Sequence, residues 1–194
     1  KSLGIDLSNN PKSKFAMIAS AIGTGGKKTN INATEEFLKS GLLMKSIRVQ
    51  ANGRIKESMA FENINYTEVF NEESEWIDSR CYDIFTSRFM FVIFREQTPN
   101  AEDYILDKIF FWTMPSKDLE VAEQYWKNIK QCVEENHIDP QYFWKIKDHK
   151  LFHVRPKGQN KQDLAPNPHG GEAQKYCYWF NNEYITDIVN KNKQ

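Results

Sequence analysis

Arg155 and Lys157 flank Pro156 near the end of a short strand-like run, so a guanidinium and an ammonium share one stretch of chain. Such a pair suits an oxygen-rich partner, the guanidinium through a two-pronged contact and the ammonium as a point charge. It also suits an ordinary charged turn. Lys27 and Lys28 come after the glycine-rich turn Gly23-Thr24-Gly25-Gly26, where lysines can hold phosphates without reading sequence or simply keep a loop in solvent. Asn181 and Asn182 come directly after Tyr178-Trp179-Phe180. An asparagine amide pairs well with adenine N6 and N7, while a tryptophan in such a run is more often core. The four histidines (His137, His149, His153, His169) lack metal-ligand spacing, and the three cysteines (Cys81, Cys132, Cys177) form no C-x-x-C pair. That speaks against a structural zinc or a disulfide scaffold and for a reducing, cytoplasmic compartment.

The elements that must position these groups can be inferred from periodicity. Phe15–Ile22 predicts a short helix, and Asn52-Gly53 between 41–49 and 54–61 predicts a β-hairpin. The almost wholly apolar run Arg88–Phe94 predicts a strand covered on both faces, with Ile105–Trp112 as its neighbour. Leu119, Ala122, Trp126, Ile129 and Val133 recur at steps of three and four, which predicts an amphipathic helix with Ser116 as N-cap and Asp118 and Glu120 at its positive end. Beyond Leu151 come a short strand, a Pro/Gly-rich loop from Gly158 to Gly171, an aromatic segment and a last helix near Tyr184–Asn190. The class is α/β or α+β with a mixed sheet.

A chain of 194 residues with 40% hydrophobic and 13% aromatic content is globular and suits one domain or two tightly joined lobes. It carries no run of membrane-spanning length and no signal-peptide pattern. It opens at Lys1 without a methionine, and so is expected to be part of a longer protein. The net charge is zero but unevenly spread: residues 1–56 carry +7, residues 96–136 carry −5, and residues 137–194 carry +3. Basic ends around an acidic middle are compatible with one face against phosphates and another in solvent.

Four segments, in order, resemble the MutH and GATC-cutting restriction endonuclease family. Gly41-Leu42-Leu43-Met44-Lys45-Ser46, with Lys56-Glu57-Ser58 beyond the hairpin, looks like the family's G-x-E-L-K-T strand and the turn after it. Glu75-Trp76-Ile77-Asp78-Ser79 is similar to its W-E-T/D-S segment, and Phe110-Phe111-Trp112-Thr113-Met114-Pro115 to its L-L-W-x-x-P strand. His153-Val154-Arg155-Pro156-Lys157 resembles its Q-I-R-P-K, with a loop and the aromatic stretch Tyr176–Tyr184 behind it as in the family. The resemblance implies a restriction-endonuclease-like MutH fold, a central mixed β-sheet flanked by helices, with two lobes forming a DNA-binding cleft. Residues 1–194 are then one domain, with a nuclease core to about residue 135 and a DNA-recognition arm from about 136.

In the family, carboxylates hold Mg²⁺ and a lysine helps activate water, because phosphodiester hydrolysis needs a metal to stabilise charge and supply hydroxide. On the resemblance, the motif's glutamate falls on Leu43, its lysine on Lys45, its aspartate on Glu36, its third carboxylate on Ala19 and a further lysine on Arg88. Mg²⁺ takes oxygen ligands, which leucine and alanine cannot supply; recruitment of Glu35 or Glu57 is the alternative. No catalytic residue and no metal site is therefore expected in this domain, with Mg²⁺ assigned to a catalytic partner domain. The binding half looks kept: the resemblance sends Arg155 and Lys157 to guanine edges in the major groove and puts Trp179 near an aromatic that probes adenine.

The expected function is sequence-specific binding of double-stranded DNA at a GATC-type site. The domain would be the C-terminal, non-cutting effector copy in a type II restriction endonuclease, coupled to an N-terminal catalytic domain and favouring two-site DNA through looping or dimerisation. The alternatives are an active Mg²⁺-dependent endonuclease with a rearranged centre, and a protein-docking scaffold built on the acidic 96–136 stretch.

Overall fold

A computed structural model describes residues 13–26, 29–71, 75–100 and 103–192. In chain order the elements are α1 (Lys14–Gly23), α2 (Glu35–Ser40), β1 (Leu42–Val49), β2 (Met59–Asn63), α3 (Tyr66–Asn71), α4 (Arg80–Thr86), β3 (Arg88–Glu96) and β4 (Tyr104–Trp112). Then come α5 (Ser116–Glu134), β5 (Phe152–Pro156), β6 (Leu164–Pro166), β7 (Glu172–Gln174), β8 (Tyr176–Phe180) and α6 (Asn182–Lys191), with single 3-10 turns at Ile31–Ala33 and Trp76–Asp78. Among the described residues no helix is long and apolar enough to cross a membrane.

The chain divides into two compact units. One unit runs up to Lys56 and resumes from Ser87 to Thr113; the other comprises Glu57–Thr86 and everything from Met114 on. The first holds a mixed sheet ordered β1-β3-β4, with β1 parallel and β4 antiparallel to β3. This is the central mixed sheet flanked by helices, and β3 is covered on both faces as its apolar sequence requires: Phe89, Phe91 and Ile93 are 0% exposed, Val92 1% and Phe94 3%. On one face Met44, Val92 and Phe94 form a core with Ala19 of α1 and Ile31, flanked by Phe15, Ile18 and Phe37. On the other, Phe89 and Phe91 stack and are joined by Phe110 and Trp112.

The second unit holds the antiparallel sheet β2-β8-β5 and the small ladder β6-β7. One face of the larger sheet presents Phe152, Tyr178 and Phe180 to Phe85 of α4 and Tyr125 of α5. Helix α5 buries the predicted stripe, with Ala122, Ile129 and Val133 at 0% and Trp126 at 4% exposure.

Three local expectations are corrected. The turn at Asn52-Gly53 is present, with Gln50 N–H donating to Arg54 O and Gly53 at φ +82°. However, its arms do not pair: β1 joins β3 and β2 joins β8, in separate sheets. An Asn-Gly turn fixes how the chain reverses, not which strands then find each other. Ser116 is the first helical residue of α5 rather than its cap; Pro115 holds that position, fitted by its missing N–H. Asp118 accepts the Tyr184 hydroxyl at 2.7 Å, tying α6 to the start of α5. Lastly, the 158–171 stretch is not all loop, because Leu164–Pro166 begins the β6-β7 ladder.

Candidate functional site

The motif strand β1 begins where α2 stops. Gly41 caps that helix in the left-handed region (φ +61°), its N–H turned back to Phe37 O and Leu38 O. A side chain is strained there, which accounts for the glycine opening the motif. Alongside β1, Asn32 acts as a missing ladder residue: Met44 N–H donates to its Oδ1 at 2.7 Å and its amide donates to Met44 O at 3.1 Å. Side chains then alternate between faces. Leu43 stands opposite Phe89 and Lys45 opposite Phe91 in the parallel register, both half-buried on one face of the sheet.

Of the other residues expected with them, Ala19 and Arg88 lie on the opposite face of the sheet. Ala19 is 1% exposed in the apolar core on the opposite face, with Met44, Val92 and Phe94. Arg88 is on that same opposite face, its guanidinium 4.6 Å from the Phe111 ring centre. Glu36 is exposed in the first turn of α2, Glu35 pairs with Lys39, and Glu57 is exposed. The buried carboxylate of this unit, Glu96, has its oxygens taken by the N–H groups of Ala51 and Asn100 at 3.0 and 3.1 Å. Among the described residues no three His, Cys, Asp or Glu side chains converge as a metal cage. The donor set at the motif positions, one exposed carboxylate with leucine and alanine, does not fit a Mg²⁺ ion and its demand for several oxygens.

The Trp76–Ser79 segment is structural. Trp76 packs on Tyr82 and Trp126, and the fully buried Ser79 hydroxyl accepts Tyr82 N–H at 3.1 Å, capping α4.

In the second unit, strand alternation puts His153 and Arg155 on the face of β5 away from the Phe85–Tyr125 core. The antiparallel register sets them beside Trp179 and Cys177 of β8. Arg155 is exposed, with its guanidinium 5.3 Å from the Trp179 ring centre, a cation–π contact that preorganises it. The His153 and Trp179 rings lie nearly parallel, 5.8 Å apart. Ala60 of β2 is the other neighbour of Trp179 in register, small enough to leave the indole room. Pro156 is exposed and pairs with Tyr176 at the end of the strand. Lys157 is next, its backbone N–H on Lys175 O and its ammonium on Phe61 O at 2.8 Å, which uses one of its three donors.

Asn181 is a correction. It is 2% exposed and its amide is spent internally: the NH₂ donates to Ile146 O and His149 O, so its oxygen accepts from His153 Nδ1. It is therefore not a group for an outside partner but the clamp on His153. That bond fixes the imidazole tautomer with the proton on Nδ1 and the lone pair on Nε2. Burial lowers the His153 pKa, Arg155 adds to the effect and the Asn181 bond opposes it, so the ring is neutral near pH 7. His153 Nε2 and Trp179 Nε1 are both buried without a hydrogen-bond partner among the described residues. Asn182 is half-buried at the start of α6, and its carbonyl accepts the Thr186 hydroxyl. Lys27 and Lys28 lie outside the described residues.

Two residues escaped the reading of the sequence. Strand alternation alone would have placed His153 beside Arg155. The Asn32 bridge, made by a side chain outside any strand, left no such signal.

A mixed sheet with helices at its flanks, carrying the glycine-led strand, defines a restriction-endonuclease-like α/β protein, and the Arg-Pro-Lys strand end belongs to the antiparallel sheet of the second unit. The sequence pattern of the family described as DNA mismatch repair enzyme MutH matches residues 26–124, about half of the chain. The chain belongs to the MutH family. It is also similar to the type II restriction enzyme Sau3AI of Staphylococcus aureus, 27% identical over 217 aligned residues that cover 89% of this chain. The chain spans 44% of the length of that relative. The family match ends upstream of Arg155, so the likeness of residues 125–194 rests on the second comparison and on the residues themselves.

Proposed function

We propose that this chain binds double-stranded DNA at a GATC-type sequence and does not itself cut it. It would serve as the effector half of a type II restriction endonuclease whose other half carries the Mg²⁺-dependent centre. The observation that carries the binding reading is the exposed Arg155, held over Trp179 at the rim of the β5-β8 face in a member of a DNA-processing family. A guanidinium fixed on an aromatic needs little further ordering to reach guanine O6 and N7. The donor set around Leu43 supports the non-cutting half of the proposal.

Effector action means that DNA on this domain favours one state of its catalytic partner, which requires different DNA affinity in the two states. Looping or dimerisation on two-site DNA would be its consequence. Gel-shift titrations with GATC and scrambled duplexes, with and without Mg²⁺, test the proposal. Expected are a GATC preference, affinity falling steeply with salt as counterions are released, and no cleavage. Mg²⁺-dependent nicking abolished by Glu36→Gln or Lys45→Ala would establish the rearranged-enzyme alternative. Equal cleavage of one-site and two-site DNA by a longer protein would remove the effector role.

One observation favours a docking scaffold as second reading: β4, at the edge of its sheet, leaves Ile105, Leu106, Ile109 and Phe111 between 43% and 54% exposed. That reading predicts no DNA affinity at any salt concentration.

A further inference from the structure

The segment that continues Arg155-Pro156-Lys157 is exposed from Gly158 to Gln162, yet it is closely built. Asp163 closes it. One carboxylate oxygen accepts Gln159 N–H at 2.8 Å, the other takes the Lys175 ammonium, and the Asp163 N–H donates to Asn160 O at 3.2 Å. Asn160 Oδ1 in turn accepts Gln162 N–H at 2.9 Å. Gly158 is needed for the approach, since a Cβ there would stand 3.0 Å from Asp163 O and 3.1 Å from Asn160 O. The Lys175 ammonium, then the Gln159 N–H, holds the Asp163 carboxyl below the usual carboxylate range.

This order buries no core, because Gly-Gln-Asn-Lys-Gln has no apolar side chain to bury. What it does is present. The side chains of Gln159, Lys161 and Gln162 are exposed and make no hydrogen bond or ion pair among the described residues. Lys157, two residues before Gln159, instead has its ammonium on Phe61 O. Two free amides and one free cation on a preordered loop beside Arg155 match what a duplex offers: base edges with paired donors and acceptors, and phosphates. Preordering lowers the entropy lost on binding.

We propose that residues 158–162 form a second DNA-contacting element, with Lys161 on a phosphate, Gln159 and Gln162 at base edges, and Asp163 as the positioning residue that holds them. The proposal rests on the DNA-binding reading above. The test is fluorescence anisotropy of the full chain on GATC duplexes and on duplexes changed by single base pairs in and beside that site, over a range of salt, with urea unfolding of each variant. Lys161→Ala is expected to reduce the slope of log affinity against log salt by about 0.9, the loss of one phosphate contact, without altering preference. Gln159→Ala with Gln162→Ala is expected to narrow the preference roughly tenfold at unchanged slope. Asp163→Asn, which keeps an acceptor and loses the charge, is expected to narrow the preference while the urea midpoint stays near wild type; a merely structural role would instead lower the midpoint and all affinities together. If the wild type prefers GATC and the loop variants keep its preference and slope, the loop proposal alone is overturned. If the wild type shows no salt-dependent binding to any duplex, the DNA-binding reading falls and takes this one with it.

Discussion

The two units treat the same kind of position differently. In the first, the strand that carries the family's motif lines Leu43 and Lys45 against phenylalanines, and the positions expected beside them lie on the opposite face or on an exposed helix. In the second, the strand end with Arg155 keeps its cation outward and held on an indole, while an asparagine and a histidine behind it lock together in the interior. A metal centre is all or nothing, since several oxygens must meet at one point, and two hydrocarbon side chains undo it. A grip on DNA is spread over many weak contacts and survives the loss of some. Once cutting is no longer selected, the first kind of site is therefore expected to disappear before the second.

The largest effect that can be imposed on this contrast is on the core behind strand β5. Phe85 is fully buried against Phe61, Phe152 and Phe180, and Phe85→Ala is expected to lower unfolding free energy by about 3–5 kcal/mol in urea titrations and to abolish DNA binding with it. Arg155→Ala should separate the two properties: a loss of order 1–3 kcal/mol in duplex affinity with a urea midpoint close to wild type. A fall in both together would make Arg155 a packing residue.

A smaller effect depends on pH. The folded-state pKa of His153 lies below its ordinary 6.5, chiefly through burial, so the neutral ring's stabilisation is complete above about pH 6.5 and is lost as pH falls below it, at no more than about 1.4 kcal/mol per pH unit. Between pH 8 and pH 5 the wild type should lose stability faster than His153→Gln; parallel losses would show that the imidazole is not the titrating group. The smallest expected change is in the first unit. Leu43→Glu restores a carboxylate to the motif, yet with Glu36 exposed and Ala19 on the other face it should yield no Mg²⁺-dependent nicking of supercoiled plasmid. Appearance of nicked circles would mean that the missing oxygen at that one position was all that separated this unit from an enzyme.

How much could be read from the residues depends on how local the cause is. The apolar run of β3 and the three-and-four spacing of α5 state their burial within a few residues, and both elements form where the pattern demands. The partner of β2 could not be read this way, because nothing in Met59–Asn63 points to Tyr176–Phe180 rather than to the strand just before the turn. At the candidate site the exposed Arg155 beside its proline was legible, since charge and strand end coincide in sequence. The inward amide of Asn181 was not, although an asparagine immediately before an amphipathic helix, here α6, is a recognisable capping position.

The interleaving of the two units bears on how the molecule is made. Tyr66 hydrogen-bonds the backbone of Tyr176 across 110 residues of chain, and β2 has no ladder partner until β8 exists. During synthesis the first sheet has all its strands by Trp112, whereas the second must wait almost to the last helix. Closing so long a loop is slow, so β2, α3 and α4 remain without their sheet until Tyr176–Phe180 has followed them off the ribosome.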